Sequence, residues 1–279
     1  MRPYTAAMKT AALPAAGATV LEAKPGRSPA NRSLERGIEL LRAFRPGTAL
    51  LGNAELAERT GLSRSTVSRL AQTLVGAGML QADAGSRAYR LAPGVLSLAH
   101  AMRGGCVELA VAAPLMRQVA EARHINVGLA APDRDEMVYL ESIRYNRRAA
   151  LRQVVSGQRV PMELTSLGRA YLAGAPVARR KALLAVFKRR RGAQWPALAA
   201  ELQQAMAQVA SEGFCVAAWQ PEVVALATNL PGSRMPLVVN VSVSTVEPVA
   251  GVVRELAPVL LQLTERIARQ LQQSDLTAP

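Results

Sequence analysis

From residue 33 onward, apolar residues recur at helical spacing in three short bursts, then switch to alternation. Leu34, Ile38, Leu41 and Phe44 repeat every three or four positions, which predicts a helix with one buried stripe. Ser33 is its expected N-cap, and Pro46 and Gly47 end it near Arg45. A second short helix is expected over 54–60, with Leu56 and Ala57 inward. Gly61 supplies the turn, because a residue without Cβ takes positive φ easily. Ser63 caps a third helix reaching about Val75, with Val67, Leu70, Ala71 and Leu74 on its inner side. The period then drops to two across "MLQADAGSRAYRLAP", a hairpin turning at Asp83 to Ser86. Three helices and a hairpin are the order of a winged helix-turn-helix, here residues 31–92. "GVLSLAHAMRG" reads as a linker helix within 93–105, with an apolar stripe of Val95, Leu98 and Met102.

Residues 106–274 alternate between the two periods. A helix at 107–122 precedes a hairpin with its turn at Asp133 to Glu136, and a strand follows near 149–155. Helices are expected over 165–174, 177–187 and 196–212, strands over 214–218, 223–230 and 236–244, and a last helix over 248–272. Strands joined by short turns, with helices grouped between them, predict an antiparallel sheet flanked by helices and an α+β chain overall. Residues 1–30, rich in Ala, Pro and Gly, read as a disordered basic tail; Pro14 and Gly17 break what would otherwise mimic a signal peptide.

The small and apolar residues of 53–80 fall where a helix-turn-helix needs them. Ala57 sits at the helix crossing, Gly61 makes the turn and Val67 packs the second helix on the first. Such a unit places the N-terminal residues of its second helix against base edges. Arg64 and Arg69 can bond guanine in bidentate fashion or hold phosphate, and Ser65, Thr66 and Ser68 carry short hydroxyls suited to either. Ser63 is mainly the cap, and Arg87 and Arg90 on the wing would lie along the backbone or minor groove.

Charge supports this reading. The formal net charge is +14, and residues 31–105 hold ten bases to five acids, a denser excess than the twenty to fourteen of residues 106–279. Phosphate contacts release counterions, so such a balance favours a polyanion. Cys106 and Cys215 build neither a disulfide framework nor a CxxC motif, which fits a reducing, cytoplasmic compartment. No uncharged run approaches the roughly 20 residues that span a bilayer. His100 and His124 have no acid or cysteine at ligand spacing, and no GxGxxG or P-loop pattern occurs, so no catalytic residue, metal or cofactor is expected. The run "RRKALLAVFKRRRG" over 179–192, with seven bases and no acid, is either a second nucleic-acid patch or a solvated face with Leu183, Leu184 and Phe187 inward. In "LTSLGRAYLAG", Thr165 or Ser166 looks like a cap, and free N–H groups at that helix start can hold an anion.

"SLERGIELLRAF", "ELAERTGLSRSTVSRLAQTL" and "AYRLAPGVLSL" resemble the DNA-binding half of isocitrate lyase regulator (IclR) family transcription factors. The resemblance continues through "EMVYLES", "TSLGRAYLAG", "GFCVAAWQPEVVALA" and "VVNVSVS", covering about residues 31 to 272. It implies a winged helix, a linker helix and an effector-binding domain. It also implies homodimers or homotetramers on a palindromic operator in double-stranded DNA, and control of small-molecule catabolism. The effector is then expected between the helix start at Ser166, Leu167 and Gly168 and the strands carrying Val223, Ala225, Asn240 and Ser242. The sequence departs from the family where Ala217 and Ala218 stand near the place of an acid, where Ala225 replaces a polar residue, and where Asn240 and Ser242 replace a serine pair. A carboxylate with an apolar or aromatic body is therefore expected over a polyhydroxy acid. Two rival readings are an enzyme whose winged helix is only an interaction module, and a ligand-independent architectural protein. The first would need a paired acid–base or nucleophile constellation, and the second leaves the large C-terminal region without a role.

Overall fold

A computed structural model describes residues 31–145, 155–220 and 222–277. The tail expected over 1–30, and nearly all of the strand expected near 149–155, lie outside the described residues. The chain divides into two compact units, Met1–Met102 and Arg103–Pro279.

The described part of the first unit begins with α1 (Arg32–Arg42), β1 (Leu51–Gly52), α2 (Asn53–Thr60) and α3 (Arg64–Gly76). It continues through β2 (Leu80–Asp83) and β3 (Ala88–Leu91) into α4 (Gly94–Gly104), whose last two residues belong to the second unit. Asn31, not Ser33, caps α1: its side chain accepts from the N–H groups of Ser33 and Leu34. The buried stripe of α1 also differs from the expected one. Leu40 and Phe44 enter the core with Gly37 and Ala43, while Leu34 stays 62% and Ile38 44% exposed. Apolar residues form two overlapping stripes on this helix, and spacing alone does not say which one its own domain covers. Leu40, Leu51, Leu56, Val67, Ala71 and Leu80 close the small core. Gly61 takes φ 69° at the turn, and its N–H bonds the Ala57 carbonyl at 2.9 Å. The wing is a three-stranded antiparallel sheet in the order β1-β3-β2, one strand more than the periodicity disclosed, because β1 has only two residues.

The second unit holds α5 (Val107–Arg123), β4 (Asn126–Asp133), β5 (Glu136–Ile143), β6 (Arg159–Pro161), α6 (Ser166–Gly174) and α7 (Val177–Arg191). A single 3-10 turn then leads to α8 (Trp195–Glu212), β7 (Cys215–Gln220), β8 (Val223–Asn229), β9 (Val238–Ser244) and α9 (Val249–Thr277). Six antiparallel strands run β6-β5-β4-β9-β8-β7. Strand alternation splits the core in two. Val127, Leu129, Leu226, Val239 and Val241 pack against α5 and α9 on one face. Ala130, Met137, Cys215, Ala227 and Val238 pack against α6, α7 and α8 on the other. Short β6 lacks the length for a visible alternation and was not expected.

Candidate nucleic-acid interface and ligand site

The third helix of the first unit is fixed from within. Ser63 Oγ caps α3 by accepting the Thr66 N–H at 3.3 Å, and it shares hydrogen bonds with Ser65 Oγ at 3.1 Å and Thr66 Oγ1 at 2.9 Å. Val67 and Ala71 are fully buried. That anchoring turns Arg64, Ser65 and Arg69 outward, with Thr66 and Ser68 half-buried beside them. Gln72, exposed three residues beyond Arg69, extends the same face; the sequence reading missed it, though its spacing from Ser68 and Arg69 was visible. On the wing, Arg87 is exposed with φ 52°, and Arg90 is paired with Asp83 across the hairpin. Asp83 also accepts from the Ser86 N–H and hydroxyl, and these bonds with Arg90 hold its carboxyl below the usual range. Arg90 therefore orders the wing as well as charging it.

In the second unit, antiparallel register sets three rungs of residues on the α6-facing side of the sheet. Asn229, Val238, Ala130 and Tyr139 form one rung. Cys215, Ala227, Asn240 and Gly128 form the next, and Ala217, Ala225, Ser242 and Asn126 the third. Thr165 is the cap of α6, accepting the Gly168 N–H at 3.3 Å, so Ser166 is the first helical residue. The thiol of Cys215 donates to the Ser166 carbonyl at 3.4 Å, which seats the helix start over the middle rung. Burial pushes that thiol up to about 12.

The expected ligand residues thus come together, but not in equal roles. Asn240 and Ser242 share one face, Ala225 pairs with Ser242, and all three are buried. Val223 is half-buried at the strand end. Gly168 is closed off: its N–H belongs to Thr165, and a Cβ there would overlap the Met162 backbone. Leu167 enters the core. That leaves the N–H groups of Ser166 and Leu167, which precede any intrahelical acceptor.

Two further residues belong to this surface and carry no sequence signal by themselves. Gly128 has no side chain, and a Cβ there would overlap Asn240 Oδ1 and the Tyr139 ring, so its absence lets those two meet. Tyr139 is pushed up to about 12 by burial, against the opposing effects of Arg144 and a hydrogen bond with Asn240. Beside the start of α6 lies a cleft of about 400 Å³, lined by Leu164, Arg169, Arg191, Glu201, Ala218 and Trp219 among others. Its guanidiniums are engaged, Arg169 with Glu201 at 2.6 Å and Arg191 with Glu163 at 2.7 Å.

The basic run lies on α7 and has a structural use. Leu183 and Phe187 are buried, and Arg190 and Arg191 both bond Glu163, which is wholly enclosed. Arg190 also meets Asp135, and Arg179 and Arg180 bond carbonyl oxygens. Lys181, Lys188 and Arg189 are the exposed remainder.

Comparison with known proteins places this architecture. A family model described as the IclR helix-turn-helix domain matches residues 33–84, and one described as bacterial transcriptional regulator IclR C-terminal matches residues 108–273. The HTH-type transcriptional regulator TsaQ1/TsaQ2 of Comamonas testosteroni is 30% identical over 248 residues, covering 86% of this chain and 88% of the relative. The crystal structure of an IclR family transcriptional regulator from Brucella abortus matches with TM-score 0.78 at 32% identity, covering 89% of this chain and 96% of that one. An IclR homologue from Microbacterium hydrocarbonoxydans, solved with 4-hydroxybenzoate, shares the fold at TM-score 0.64 and 21% identity, covering 86% of this chain and 99% of that one. Among the described residues no single helix is long and apolar enough to cross a membrane.

Proposed function

The chain belongs to the IclR family of bacterial transcriptional regulators, and from that premise we propose that α3 reads a palindromic operator while a small carboxylate in the second unit controls the reading. The observation that carries the DNA half is the outward face of α3. Arg64, Ser65, Arg69 and Gln72 are exposed on a helix whose other side is locked by Val67, Ala71 and the Ser63 cap. A rigid helix presenting arginines at its N-terminal end suits bidentate guanine contacts, each worth about 1–3 kcal/mol of discrimination. Arg87 and Arg90 add phosphate contacts from the wing. Arg64→Ala and Arg69→Ala should each cost about 1–3 kcal/mol of operator affinity if they read bases. If they hold phosphate, binding should weaken on all sequences and the salt slope should fall. Operator affinity unchanged by both, in fluorescence anisotropy at fixed salt, would refute the assignment.

For the effector, the N–H groups of Ser166 and Leu167 favour a carboxylate, and the alanines of the third rung leave an apolar wall beside Asn240 and Ser242. The relatives' names, all transcriptional regulators, support a regulator without an enzymatic step. Replacing Asn240 and Ser242 together by Ala should abolish effector response in a reporter assay while leaving operator affinity intact. A double variant that responds normally moves the pocket elsewhere.

A further inference from the structure

Among the described residues, two oxygens on this surface have no hydrogen-bond partner: Asn126 Oδ1 and Asn240 Oδ1 are shielded from solvent, and neither accepts a hydrogen bond there. The residues are 8% and 5% exposed. A buried carbonyl without a donor is a costly arrangement, and native cores rarely keep one without a use. These two are neighbours. Asn126 pairs with Ser242 and Gly128 with Asn240, so Asn126 and Asn240 are diagonal partners on one face of β4 and β9, within reach of one ligand. Asn240 is also oriented. It hydrogen-bonds Tyr139, and because its Oδ1 is unpartnered, that bond comes from its NH₂ group. Gly128, having no Cβ, leaves the gap that Asn240 Oδ1 and the Tyr139 ring occupy.

We propose that Asn126 and Asn240 form an acceptor subsite for a hydrogen-bond donor on the effector, which is therefore a carboxylic acid bearing a hydroxyl or amino group on an otherwise apolar body. This inference rests on the pocket reading above and adds a direction to it. A carboxylate has no proton to give and is repelled by two carbonyl oxygens, so it belongs at the N–H groups of Ser166 and Leu167. The donor end then lies across the third rung at β4. Ala217 and Ala225 between the two ends offer the body no polar group. Asn126 thereby becomes a specificity residue, although no motif marks it.

The test uses the full chain and begins without ligand. An unsatisfied carbonyl contributes nothing to the ligand-free fold, so Asn126→Val should hold or raise the thermal midpoint of the second unit. Asn126→Ala serves as a control free of strand propensity and should lower it little. A fall of about 3 °C or more in both variants, the loss expected when a satisfied buried hydrogen bond is removed from a domain of this size, overturns the proposal. The second arm titrates 3- and 4-hydroxybenzoate against 3- and 4-methoxybenzoate by calorimetry. Wild type should prefer a hydroxy probe at least about tenfold, and Asn126→Val should lose that preference. Equal binding of hydroxy and methoxy probes to wild type, abolished by Asn240→Ala with Ser242→Ala, overturns the donor subsite and leaves the pocket standing. Hydroxybenzoate binding that survives that double variant overturns the pocket reading itself. If no probe binds, the two Asn126 variants decide, since they report on the orphaned oxygen directly.

Discussion

Gly168 and Gly128 show how differently two missing side chains can act. At Gly168 an added Cβ meets the backbone of Met162, which cannot rotate away. Gly168→Ala should therefore destabilise the second unit by about 3 kcal/mol, read as a lowered denaturant midpoint with the α3-containing unit unaffected. At Gly128 the obstacles are the side chains of Asn240 and Tyr139, which can shift. Gly128→Ala should cost less stability than Gly168→Ala but uncouple Asn240 from Tyr139 and weaken effector response. A Gly128→Ala protein with wild-type response would show that Asn240 does not need that space. Local signals of this kind were only partly legible. Ser63 was readable as a cap because a serine preceding an apolar period has one obvious use. Asn31 and Ser33 were both good caps, and only the hydrogen bonds separate them. Nothing in the sequence marks Gly128 or Asn126, because their meaning comes from strand register.

Elements fared better than their edges. The hairpin from Asn126 to Ile143 and the turn at Gly61 were legible, since alternation and glycine report directly on backbone geometry. The α1 stripe was not, and β1 and β6 were too short to show a period. The basic run on α7 could not be resolved from composition, because its use depends on Glu163 and Asp135, distant in sequence. A similar long-range pair joins Arg103, the first residue of the second unit, to Glu141 of β5 at 2.8 Å. Burial raises the Glu141 carboxyl, but hydrogen bonds from Arg103, the Ser142 N–H and Ser156 outweigh it, and the net shift is below the usual 4.5. A carboxyl lowered in the fold stabilises it above the unfolded value and loses that contribution as pH falls through the folded one. The stability gap between wild type and Glu141→Gln should thus be constant above about pH 5 and shrink below about 4.5. A gap that grows on acidification, in thermal melts across that range, would contradict the direction of the shift.

For the whole molecule, the sequence showed two domains, each mixing helical and strand periods in its own order, and a basic excess denser in the first. What it could not show was how many copies act together. Leu34 and Ile38 on α1, and Leu96, Leu98 and Met102 on α4, are 44–62% exposed. One winged helix offers few base contacts, so a twofold pair covering these residues would match a palindromic site. Light scattering at micromolar concentration should give a multiple of 29.7 kDa, and Leu98→Glu with Met102→Glu should lower it; a wild-type monomer would contradict the pairing. The central claim, that α3 makes this chain a sequence-specific regulator, is tested most directly by selecting binding sites from a random duplex library with the full chain. The account predicts enrichment of an inverted repeat, lost when Arg64 and Arg69 are both replaced by Ala. A library that enriches no motif, or the same motif recovered by the double variant, would contradict it.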